Sequence, residues 1–173
     1  MNTENKGVQD VLKMAHGWEK QLADFFAKFP HVPESGRKVI VQILPWLALV
    51  FGILGIIAAV AGGLIMSILS IPALLTGNIG GLVMFTAVIV SLTAAILEVL
   101  AFKPLQTGMK KGWNFLYYAL LLGIISTLIS ILGNTVNGSV YGMTVIVPTL
   151  ISGAIGFIIG GWILFEVRGH FTK

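Results

Sequence analysis

Four long apolar runs dominate the chain, at roughly 39–69, 79–102, 115–132 and 145–165. Each meets or nearly meets the ~20 residues that cross a ~30 Å hydrocarbon core. Ile and Val are frequent in them, yet lipid offers backbone groups no partner, and open sheet edges do not persist there. The runs therefore predict four membrane helices. The first is over-long and should tilt or extend past the bilayer on the outer side. Ahead of them the pattern changes. Val8, Val11, Ala15, Trp18, Leu22, Phe25 and Phe29 recur at three-four spacing, flanked by Met14 and Phe26. Gln9, Lys13, His16, Lys20 and Asp24 fall on the opposite side, which predicts an amphipathic helix. Pro30 and Pro33 end it, and a hinge over 34–36 leads to the first apolar run.

The expected fold is an all-α integral membrane protein, a four-transmembrane-helix bundle. The chain divides into a cytoplasmic amphipathic arm and hinge (1–38), the bundle (39–167) and a short cytoplasmic tail (168–173). The bundle also reads as a duplicated hairpin. Gly55-Ile56-Ile57 recurs as Gly123-Ile124-Ile125, and a Glu-Val pair at Glu98-Val99 recurs at Glu166-Val167, both about 68 residues on. Two helices per copy would make this a parallel repeat.

Composition agrees. Charged residues make up 10% of the chain, against about 25% in a soluble domain, and the mean hydropathy is +0.93. The net charge of +4 could suggest nucleic acid, but the positions of the cations say otherwise. Lys6, Lys13, Lys20, Lys28, Arg37 and Lys38 precede the first run. Lys103, Lys110 and Lys111 lie between the second and third, and Arg168 and Lys173 follow the fourth. The other two connections hold no Lys or Arg, so the positive-inside rule places both termini in the cytoplasm and the protein in the cell membrane. No cleavable signal sequence or lipidation pattern is expected. Trp46, Trp113, Tyr117, Tyr118 and Tyr141 fall near run ends, as an interfacial aromatic belt would require. Pro45 and Pro148 are expected in or near first helical turns, and Pro104 at the end of the second helix.

Helices in lipid associate through small residues. Two stripes offer them: Gly55, Ala59 and Gly63 on the first helix, and Ser152, Gly156 and Gly160 on the fourth. The arm, through Trp18, Phe25 and Phe29, has the side chains of an interfacial helix lying on the inner leaflet.

Candidate chemistry is sparse. There is no cysteine, the three histidines are scattered, and no nucleophile, metal or phosphate motif occurs. No catalysis, metal or cofactor is therefore expected. Glu98 stands out. It is expected about one turn inside the cytoplasmic end of the second helix, on the small-residue face with Ser91 and Ala94. Ionisable groups at such depth face a bundle interior or water-filled cavity and are proton- or cation-linked in transporters. The bland alternative is an ion pair with Lys103, Lys110 or Arg168. Glu166, beside Arg168, reads as an interfacial ion pair. Function therefore narrows to two expectations. One is a non-enzymatic scaffold or subunit of a membrane assembly, with a second copy or another membrane protein as partner. The other is a small oligomeric transporter or channel that uses Glu98. The topology is open to direct test: a membrane-impermeant amine reagent added to intact cells should leave Lys110 and Lys173 unmodified, and modification of either would overturn the orientation.

Overall fold

A computed structural model describes residues 3–65, 68, 79–136 and 142–172, which form helices and turns with no strand among them. α1 spans Thr3–Phe26. α2 spans Glu34–Ala58 and runs on into a π-helical stretch, Ala59–Leu64. α3 is Gly80–Gln106, α4 is Lys110–Val136 and α5 is Gly142–Glu166, followed by a 3₁₀ turn, Arg168–His170. α2 to α5 are each long and apolar enough to cross a membrane. The connections at 69–78 and 137–141, with Tyr141, lie outside the described residues.

The helices outrun the apolar runs at the end where the cations gather. α2 begins at Glu34, directly after Pro33, whose ring fixes φ at −54°. An acidic first turn suits the positive end of the helix dipole. α3 also continues past Pro104, which lies inside the helix rather than ending it. The stop comes nearly three turns after Glu98, at Gly108, with φ +70°. There Met109 N donates to Pro104 O (2.9 Å) and Gly108 N to Leu105 O (3.1 Å). This paired closure is the Schellman motif, which needs a residue free to adopt left-handed φ. Pro45 is also an interior residue, buried within α2, and Pro148 lies inside α5. In each case the helix continues through the proline, whose absent N–H removes one rung of the ladder.

Neighbours in sequence pack side by side in the order α2, α3, α4, α5, with α3 and α4 the most extensively joined. α2 and α5, at the two ends of this row, share no comparable seam, and α1 rests on α5. The α2–α3 seam is made by absent side chains. A Cβ on Gly52 would fall 2.9 Å from Ala95 O, one on Gly55 2.9 Å from Ala95 Cβ, and one on Gly63 2.8 Å from the Val88 side chain. Ala59 is buried between them. Gly55, Ala59 and Gly63 thus lie along this contact, joined by Gly52.

The stripe of Ser152, Gly156 and Gly160 lies elsewhere. All three are exposed. Gly156 has open space where a Cβ would go, and Gly160 has Leu120 Cδ1 as its nearest neighbour at 3.7 Å. The close approaches of α5 come from the next register. Gly153 meets Thr127, and Gly161 meets the Phe26 ring. Leu120 stands between α4 and Gly160 and holds that face away.

The helices converge at the end where α2 and α4 begin and α3 and α5 finish. Leu44, Ala48, Ala101, Leu105, Trp113, Tyr117, Leu164, Val167 and Phe171 form one buried cluster there. Trp113 is only 1% exposed. Its Nε1 donates to Leu164 O at 2.8 Å, and its ring lies parallel to Tyr117 at 5.4 Å, with the edge of Phe165 against both. Trp113 and Tyr117 are therefore core residues and not members of an interfacial belt. Gly112 explains the difference. A Cβ there would come within 2.6 Å of Leu105 N, so its absence lets the start of α4 press onto the end of α3 and carries Trp113 inward. Trp46 stays exposed, packed edge-on against Phe102 at 5.1 Å.

Overpacking a tight seam costs about 1–3 kcal/mol. Gly52→Val should lower the unfolding midpoint in detergent accordingly, whereas Gly156→Ala, which meets open space, should not. Equal midpoints for Gly52→Val and the wild type would refute the α2–α3 contact.

Candidate functional site

Beyond the buried cluster the helices part around a cavity of about 650 Å³. Phe51 and Gly55 of α2, Ser91 and Glu98 of α3, Gly123 of α4 and Gly160 of α5 contribute to its walls. The space follows from the residues. Ala94, Ala95, Ala119, Gly123, Gly156 and Gly160 all present little or no side chain to it. Leu44, Ala48 and Leu164 belong both to the cavity wall and to the buried cluster. A second cavity, about 460 Å³, runs between α4 and α5 past Thr127, Gly153 and Phe157. Glu98, Leu120, Gly123 and Gly156 line both.

Glu98 thus stands where two apolar cavities meet. It makes no hydrogen bond or ion pair with any described residue. The three cations expected as partners are placed otherwise. Lys103 and Lys110 are exposed, and Arg168 pairs with Glu19. Because α3 runs on to Gln106, Glu98 lies eight residues from its end, about 12 Å at 1.5 Å per residue. That is deeper than the single turn expected from the apolar run. Among the described residues no other titratable side chain lines either cavity. Glu98 is half-buried, and a carboxylate set among apolar walls without a protein partner is completed by a proton or by a cation from outside.

Glu166 is placed differently. It is the last residue of α5, so it does not share the depth of Glu98, and the two Glu-Val pairs are not equivalent in setting. It forms an ion pair, but with Arg37 and not with Arg168. Arg37 Nε lies 2.8 Å from Oε1 and His31 Nδ1 lies 3.0 Å from Oε2, while the Val32 amide donates at 3.1 Å. The Glu166 side chain is 5% exposed. Arg168 lies beyond the helix end, in the 3₁₀ turn, which carries it over the Trp113 ring and toward Glu19.

These contacts tie the arm to α5. Phe26, 3% exposed, stacks on Phe165 at 5.4 Å and meets Phe157 at 5.7 Å. Trp162 Nε1 donates to Pro30 O at 3.1 Å. The residues singled out by spacing face the other way: Trp18 is 56% exposed and Phe25 45%, with Met14 at 60%. Phe29 is half-buried, in ring contact with Phe25 and Phe26. Sequence spacing left Phe26 on the flank of the stripe and did not single out Glu19, yet these are the side chains that hold α1 in place. The signal for Phe26 was Gly160-Gly161 before Trp162, a gap beside an aromatic that another ring can fill. The side chains of Val8, Val11, Ala15 and His16 lie outside the described residues.

Among the described residues there is no cluster of His, Asp and Glu able to hold a metal ion. No family model, curated protein or solved structure matches the chain.

Proposed function

We propose that this chain is a multi-pass membrane protein of the transporter or channel class, with Glu98 as its proton- or cation-linked site. The observation that carries the reading is Glu98 itself, unpartnered at the junction of two cavities inside a bundle of apolar helices. A bilayer is the solvent that the bundle's surface calls for. Val50, Phe51, Leu54, Ile57, Ile151, Ile155 and Ile159 all point outward, and such a belt in water would far exceed the apolar patches that soluble proteins tolerate. The one-sided cations support termini in the cytoplasm and insertion in the cell membrane. Assembly with further copies would give the cavity a second wall.

The exposed Met14, Trp18 and Phe25 favour a second reading, in which α1 lies at the inner leaflet or docks a partner and the chain serves as a scaffold. Flux separates the two. In liposomes carrying an internal pH dye, the wild type should dissipate an imposed proton gradient, and Glu98→Gln should reduce the rate to that of empty vesicles. Equal rates for the two proteins would remove Glu98 from the function. A wild type that moves no proton or cation would leave the arm as the working part.

A further inference from the structure

The two cavities define what can bind beside Glu98. Among the described residues their sole titratable side chain is an acid, with no Lys, Arg or His on any wall, so the complement is a cation. A hard metal ion is a poor fit. Calcium takes six to eight oxygen ligands and magnesium a near-ideal octahedron, whereas these walls offer one carboxylate and the hydroxyls of Ser91 and Thr127. Thr127 already donates to Gly123 O at 2.8 Å. A softer metal would seek His or Cys, and neither lines the site. A small hydrated ion would have to shed water against Leu, Ile and Ala, which return nothing for it.

The remaining class carries its charge inside an apolar body. A cavity of about 650 Å³ lies within the range that encloses drug-sized molecules, where apolar walls supply affinity and a few polar groups fix orientation. Access points the same way. Leu47 and Phe51 of α2 and Ile155 and Ile159 of α5 line the cavity and are also exposed on the surface of the bundle. α2 and α5 have no extensive seam between them. The cavity therefore opens sideways through an apolar gap, toward lipid.

We propose that the cavity binds a lipophilic organic monocation, which enters from the bilayer between α2 and α5 and sets its charge against the Glu98 carboxylate. This assignment rests on the transport reading above and adds the substrate class. Proton and ligand compete for one carboxylate. Among the described residues no second titratable group on α2, α3, α4 or α5 lines the site to blur that competition, so binding weakens as pH falls.

The test uses the purified full chain and tetraphenylphosphonium, measured by equilibrium dialysis at fixed detergent concentration. The wild type should bind saturably. Glu98→Gln should weaken binding about tenfold or more, as loss of a charge-assisted contact implies. Gly123→Leu, which keeps the carboxylate but fills space at a position with nothing within 4 Å of a Cβ, should weaken it as well. Tetraphenylborate, of the same shape and opposite charge and dialysed on its own, should show no saturable binding. Equal binding of tetraphenylphosphonium to wild type and Glu98→Gln, or saturable binding of tetraphenylborate, would overturn the proposal as mere partition into apolar surface. If tetraphenylphosphonium fails to bind while Glu98→Gln still abolishes proton flux, the ligand assignment falls and the transport reading stands. Saturable, Glu98-dependent binding without flux supports the ligand assignment and removes the transport reading instead.

Discussion

Trp113 stacks flat on Tyr117, takes the edge of Phe165, and donates its indole N–H to the carbonyl of Leu164. These contacts bring α4 and α5 together at one end of the bundle, while Leu44, Ala101 and Leu105 bring α2 and α3 to the same cluster. Under the proposed membrane setting, hydrophobicity gives an apolar helix no reason to prefer one neighbour over the lipid, so shape and a few hydrogen bonds decide. Here those interactions are concentrated at one end. The aromatic cluster fixes how the helices leave it, and the small residues beyond it leave the space between them unfilled.

The cavity is the consequence. Filling it would take larger side chains at Ala119, Gly123, Gly156 and Gly160, and the chain has none there. A carboxylate on its wall is then a matter of register. Ala94 and Glu98 are four apart on one face of α3, and both reach the cavity. The arm reinforces the same end. Phe26 fills the notch left by Gly161, and Arg37, His31 and the Val32 amide surround Glu166, so the chain entering α2 is held to the end of α5. Glu166 and Arg168 each answer a charge on the segment that precedes the bundle. Glu98 has no such answer.

Features written in local runs were legible in the sequence. Run length gave four apolar helices, and four-residue spacing put Gly55, Ala59 and Gly63 on one face, without saying that α3 would meet it. Glu98 stood out because a carboxylate interrupts an otherwise apolar segment. Features that depend on long-range geometry were not legible. Both Ser152-Gly156-Gly160 and Gly153-Gly161 are stripes of small residues, and only the position of Leu120 and Phe26 decides which one meets a neighbour. Trp113 and Tyr117 look like belt residues from their distance to a run end, and their burial depends on Gly112 meeting Leu105. The depth of Glu98 was underestimated because Pro104 resembles a stop, whereas Gly108 ends the helix. The partner of Glu166 is 129 residues away in Arg37, beyond the reach of helical spacing.

Glu98 stands in an apolar, solute-accessible space, while the other carboxylates among the described side chains are paired or solvated. An apolar carbodiimide, which partitions into lipid and modifies protonated carboxyls, tests this most directly when the modified residues are mapped by mass spectrometry. Glu98 should be modified rapidly and protected by tetraphenylphosphonium, with Glu166 and Glu19 left intact in their ion pairs. An inert Glu98 beside a reactive Glu166 would contradict this placement.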